Sequence, residues 1–96
     1  MTKWKDIRAK FEELGYTVTL KGKKKNEYIC EKGDGIVNLV KWDDINLEVW
    51  VFDNIHEEIT YNENIRMSGL DRCIEMINGE INYINGEDDI YGENEG

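Results

Sequence analysis

Ile36-Val37-Asn38-Leu39-Val40-Lys41-Trp42 is followed, after Asp43-Asp44-Ile45-Asn46, by Leu47-Glu48-Val49-Trp50-Val51-Phe52. Both runs are rich in β-branched and aromatic residues and carry apolar groups at odd and even positions alike. That pattern predicts two central strands of a sheet, apolar on both faces. The four residues between them have the chemistry of a turn. On this reading Trp42 and Trp50 are core residues, not a platform on which a ligand stacks.

Upstream, Lys32-Gly33-Asp34-Gly35 is a turn, because glycine tolerates positive φ and Asp can bond the backbone. Before it, Tyr16, Val18 and Leu20 alternate with Thr17 and Thr19, the period of a strand with one buried face. Residues 27–31 form its hairpin partner across a polar loop, residues 21–26. At the start, Trp4, Ile7, Phe11 and Leu14 recur at helical spacing, with Thr2 placed to cap the helix and Gly15 to end it. Downstream, residues 55–61 read either as a short edge strand or as a packed loop. Ser68 and Asp71 approximate a capping box, and Leu70, Ile74 and Ile77 give a second helical stripe with Cys73 beside it. Gly79 interrupts that stripe, so residues 80–84 read as a bent continuation, a second short helix or a strand. The fold class expected is α+β: an N-terminal helix, a three- to four-stranded antiparallel sheet, and a C-terminal helix or helix pair packed on it. Residues 1–84 form the single domain. Residues 85–96, acidic and glycine-rich, are expected to be a mobile tail.

A chain of 96 residues with ten aromatics can hold one core without metals or disulfides. Cys30 and Cys73 read as buried free thiols. No signal-peptide pattern opens the sequence, and no apolar run approaches the roughly 20 residues that cross a bilayer. A cytoplasmic protein without membrane contact is therefore expected.

Charge is unevenly distributed. Residues 1–32 carry nine Lys/Arg against five Asp/Glu, a net of +4, whereas residues 33–96 carry three against sixteen, a net of −13. An acidic field of this kind attracts basic partners and repels nucleic-acid backbones. Lys23, Lys24 and Lys25 form the single basic cluster, which reads as a solvated loop tip, so direct nucleic-acid binding is not expected.

Catalytic chemistry has little to stand on. His56, the only histidine, neighbours Asp53, Glu57 and Glu58, which admits a small metal-dependent enzyme as one reading. Yet there is no H-E-x-x-H, no paired histidine, no phosphate loop and no nucleophile elbow. Cys30 inside a strand reads as packing rather than as a nucleophile served by His56. Asp43, Asp44 and Glu48 lack the ligand spacing of a calcium loop. No enzyme, cofactor or metal is expected; the function expected is binding.

The layout of helix, antiparallel strands and C-terminal helical region, the passage from helix into Gly15-Tyr16-Thr17-Val18-Thr19-Leu20-Lys21-Gly22, and the acidic C-terminal half together resemble the small acidic phage-encoded anti-CRISPR proteins. Those are DNA-mimic inhibitors of Cas effectors of the Cas9 type, and the resemblance covers most of residues 3–84. Lys23, Lys24, Lys25 and the acidic tail depart from the pattern. The resemblance implies a monomer or weak dimer in the cytoplasm of a bacterial host, occupying the DNA-binding groove of a guide-loaded Cas effector nuclease. Its carboxylates would stand in for phosphates. The partner-binding residues expected are Asp43, Asp44, Asp53, Glu57, Glu58, Asp71 and Glu75. An immunity protein or antitoxin covering a basic nuclease toxin needs the same electrostatics and is the alternative.

Overall fold

The computed structural model describes residues 2–86. A turn of 3-10 helix, Trp4–Asp6, leads into α1, Ile7–Glu13. Then come β1, Thr17–Lys21; β2, Glu27–Lys32; β3, Gly35–Lys41; β4, Asn46–Asp53; and β5, Glu58–Arg66. A second 3-10 turn, Met67–Gly69, opens α2, Leu70–Ile84. Among the described residues the five strands form one antiparallel sheet in the order β1-β2-β3-β4-β5, so neighbours in sequence are neighbours in space. The fold is α+β, with five strands. Residues 55–61, read as a short edge strand or a packed loop, divide between the β4–β5 turn and the start of β5, which runs on to Arg66; its residues are mostly exposed, and an edge strand has little apolar alternation to mark its extent. No helix among the described residues is long and apolar enough to cross a membrane.

Both helices lie on the same side of the sheet. α1 packs on β1 and β2, and α2 on β3 and β4. Between them lie Ile7 and Phe11 of α1, Val18, Tyr28, Cys30, Val37, Leu39, Leu47, Val49 and Val51 of the sheet, and Leu70, Ile74, Ile77 and Ile81 of α2. Phe11 meets Tyr16 edge-on at 5.1 Å, and Trp4 tilts against Tyr28 at 4.8 Å between ring centroids. Gly35 matters here because a Cβ at that position would come within 2.6 Å of Ile81 Cδ1. Its lack of a side chain lets α2 approach β3 closely.

Helix ends differ from the sequence reading in two places. No side chain caps α2: the capping box expected from Ser68 and Asp71 does not form, and Gly69 occupies the cap position. Instead the Asp71 carboxylate accepts the Thr2 backbone N–H at 3.1 Å, and at the first helical turn Lys3, not Thr2, occupies the cap position with no side-chain cap bond. The two segments meet across 69 residues of chain. Gly15 does end the first helical segment, at φ +98°.

Gly79 leaves α2 unbroken through residues 80–84, because Ile77 and Ile81 on either side of it are buried and their packing outweighs the local propensity. At the far end Asn85 donates to the Lys32 carbonyl at 2.8 Å and accepts from the Asp34 N–H at 2.7 Å, tying the helix end to the β2–β3 turn. Beyond Gly86, the residues 87–96 of the expected tail lie outside the described residues.

The placement of Trp42 and Trp50 requires correction. Trp42 is 63% exposed at the β3–β4 turn, and Trp50 is half-buried on the face of the sheet that carries no helix. Strands can be apolar on both faces while only one face is covered, since an antiparallel sheet tolerates one solvated side.

Leu39→Ala, from a fully buried position, is expected to cost about 2–5 kcal/mol in denaturant unfolding, and Trp42→Ala no more than about 1 kcal/mol. Gly79→Ala, whose Cβ would point into open space, is expected to stabilise the domain by roughly 0.5–1 kcal/mol.

Candidate functional site

The seven carboxylates expected to bind a partner are divided among three places. Asp43 and Asp44 occupy the β3–β4 turn. Asp53, Glu57 and Glu58 occupy the β4–β5 turn at the opposite end of β4, roughly 25 Å away at about 3.4 Å per residue. Asp71 and Glu75 lie on the first turns of α2.

Two of the seven are committed to local structure. The Asp43 carboxylate accepts the backbone N–H groups of Ile45 and Asn46 at 2.9 and 2.8 Å and the Asn46 side chain besides. The Asn46 amide and those N–H groups hold its carboxyl below the usual range. Asp53 repeats the device: its Oδ1 accepts from Ile55 N and His56 N at 2.9 and 3.1 Å. It is the one buried charged residue among those described, at 6% exposure. Each Asp closes a turn through its own chain. Asp44 is almost fully exposed and stands 3.6 Å from Lys41, while Asp43 shares a groove with Lys24, Lys25 and Lys41.

Glu57, Glu58 and Glu63 remain exposed along the β4–β5 turn and the free edge of β5. Glu57 adopts φ +53°, a left-handed conformation costly for a residue with a side chain, which the turn imposes. The register between β4 and β5 shifts at Val51/Phe52, and a bulge and edge carboxylates are features that disfavour pairing of an edge strand with another chain.

His56 is exposed, yet its Nδ1 lies 2.8 Å from Asp53 Oδ2. An ionised carboxylate only accepts, so that nitrogen carries the proton. The hydrogen bond His56 donates to Asp53, then the charge of Asp53 and that of Glu58, raise the His56 pKa, and the same hydrogen bond lowers that of Asp53. Among the described residues no three His, Cys, Asp or Glu side chains converge as a metal site. Burial pushes the Cys30 thiol up to about 12 and raises Cys73 as well, so both stay protonated at neutral pH.

A surface that the carboxylate pattern does not indicate lies on the uncovered face of the sheet. Register places its side chains in cross-strand rows: Lys21, Glu27, Val40, Glu48, Asn64; then Thr19, Ile29, Asn38, Trp50, Asn62; then Thr17, Glu31, Ile36, Phe52, Ile59. Ile36, Val40, Trp50, Phe52 and Ile59 line an open groove of about 360 Å³, with Glu27 and Asn38 at its side. Asn38 donates to Glu27 at 2.7 Å, while Asn62 and the Trp42 indole donate to Glu48 at 3.0 and 3.2 Å. The sequence carries one signal for this face. Asn38 and Glu48 interrupt the apolar runs at the parity opposite to Leu39 and Val49, which a face buried in a core would not tolerate without partners.

The chain matches no family model, no curated protein and no solved structure.

Because His56 is raised, its contribution to stability is complete below its ordinary 6.5 and is lost as pH rises through the raised value. Asp53 contributes above its ordinary 3.8 and loses that contribution as pH falls through its lowered value, so the pair favours the fold most between those limits. An NMR titration of the single histidine is expected to give a midpoint above 6.5, returning toward it in Asp53→Asn; an unshifted midpoint would show the pair to be open in solution.

Proposed function

We propose that this chain inhibits a nucleic-acid-handling protein by laying acidic side chains into its basic nucleic-acid groove, as an anti-CRISPR inhibitor does with a guide-loaded Cas effector. The observation that carries the reading is the sheet order. A meander in chain order puts the lysines of the first hairpin and the carboxylates of β5 at opposite edges of the sheet, while Lys10 of α1 shares a groove with Asp71 and Glu75 of α2. Lys3, Lys5, Arg8 and Lys10 sit with the helical segment beside β1, and Lys21, Lys23, Lys24 and Lys25 at the first hairpin. Glu57, Glu58 and Glu63 follow the opposite edge, and Asp71, Glu75 and Glu80 ride on α2.

Carboxylates on a rigid edge accept bidentate guanidinium bonds as phosphates do, and the attraction steers encounter with a basic cleft. The positively charged side would be left outside such a cleft. Asp43 and Asp53 matter here by shaping the two turns rather than by meeting the partner, which leaves Asp44, Glu57, Glu58, Asp71 and Glu75 of the seven as contact carboxylates, with Glu63 beside them on the β5 edge.

Competition binding to a guide-loaded Cas9-type effector across a salt series tests this. Affinity is expected to fall steeply with salt and target DNA to compete. Glu57→Gln with Glu58→Gln is expected to cost roughly 1.5–3 kcal/mol of binding, and replacement of Lys23, Lys24 and Lys25 by Gln far less. A partner that holds this chain and DNA together, with salt-insensitive affinity, would remove the reading.

A further inference from the structure

We infer that the uncovered face of the sheet is a docking surface for a cationic amphipathic segment of a protein partner. Its apolar side chains would seat on Ile36, Val40, Trp50, Phe52 and Ile59, and its Lys or Arg side chains would reach Glu27 and Glu48. This rests on the reading that the partner is a basic protein, and it adds a second surface, distinct from the β5 edge.

An apolar band rimmed by polar groups on a monomer marks an interaction site, and here both helices are spent on the other side of the sheet. Electrostatics selects the occupant. Glu27 and Glu48 flank Val40 in one cross-strand row, two strand spacings or about 9.6 Å apart. Each is oriented by neutral donors, Asn38 for the first and Asn62 with Trp42 for the second, and neither has an ion-pair partner among the described residues. Covering them with an apolar layer would strip water from two carboxylates that neutral donors, and Lys21 opposite Glu27, offset only in part.

A cation reaching that row meets two pre-oriented acceptors, with Trp50 in the adjoining row. Nucleic acid would set its phosphates against Glu27, Glu31 and Glu48. A second copy of the chain would bring the same three carboxylates to the contact, with only Lys21 and Arg66 at one end of the face to offset them. A basic amphipathic segment meets both the apolar band and its charge.

The test titrates the full-length, isotope-labelled chain with a helical Leu/Lys amphipathic peptide and with a Leu/Glu peptide of equal length. The Leu/Lys peptide is expected to shift the amides of residues 36–40 and 48–52, and the Leu/Glu peptide to leave them in place. Glu27→Gln with Glu48→Gln, which preserves shape and folding, is expected to weaken the Leu/Lys peptide about tenfold or more; Glu57→Gln with Glu58→Gln is expected to change it less than about twofold. Trp50→Ala is expected to weaken it comparably, with the melting transition retained. Equal binding of both peptides, shifts confined to β5 and α2, or self-association through Trp50 in place of peptide binding would each overturn the inference. Because the edge carboxylates and the groove carboxylates are varied separately, loss of this site leaves the DNA-competition result to stand or fall by itself.

Discussion

The apolar stripe of α2 against the inner rows of β3 and β4 organises everything else in this domain. Leu70, Ile74, Ile77 and Ile81 are buried there against strands that contribute Val37, Leu39, Leu47, Val49 and Val51. Burial of this kind supplies most of the free energy of a small domain, and it requires close approach, which Gly35 permits beneath Ile81. Polar contacts then fix the position of the helix along the sheet. Tyr16 donates to Asn78 at 2.9 Å, Lys32 bridges the Leu14 carbonyl and Asn82, and Asn85 clasps the β2–β3 turn.

One consequence is that the opposite face of the sheet receives no cover. With α1 on β1 and β2 and α2 on β3 and β4, no element of the described chain remains to lie across Trp50, Phe52 and Ile36. β5 is likewise set by this arrangement. As an edge strand with a bulge and carboxylates it extends the sheet without adding much core, since only Tyr61 and Ile65 pack inward.

The carboxylates of the β4–β5 turn and the apolar band of the uncovered face, which Glu27 and Glu48 rim, are thus presented on separate parts of the molecule. The edge carboxylates act at long range and govern encounter and salt dependence, whereas an apolar face governs how long a complex lasts. In the proposed mode the two are complementary, the edge orienting the chain on a basic cleft and the face holding a cationic segment of the same partner. Asp43 and Asp53, the carboxylates most fully engaged by their own chain, lend rigidity to the turns that carry Asp44, Glu57 and Glu58.

Much of the fold is legible in local pattern. The helical spacing of Ile7 and Phe11, the alternation from Tyr16 to Leu20, and the turn chemistry at Gly33 and Asp43 are properties of short segments and survive in the structure unchanged. The imbalance of charge about residue 32 is likewise a property of the sequence alone. Other features depend on groups far apart in the chain. Asp71 meets Thr2 instead of capping its own helix, because a cap bond competes with any other donor that tertiary packing brings near. Gly79 does not break α2, because buried neighbours outweigh a propensity of about 1 kcal/mol. The same holds for the candidate sites: the types and number of carboxylates come from the sequence, but which of them close turns and which face solvent follows from backbone geometry. Apolar residues at both parities of β3 and β4 state that both faces are apolar, while the side on which the two helices land, and so the exposure of Trp50, is decided by packing between segments that no local pattern connects.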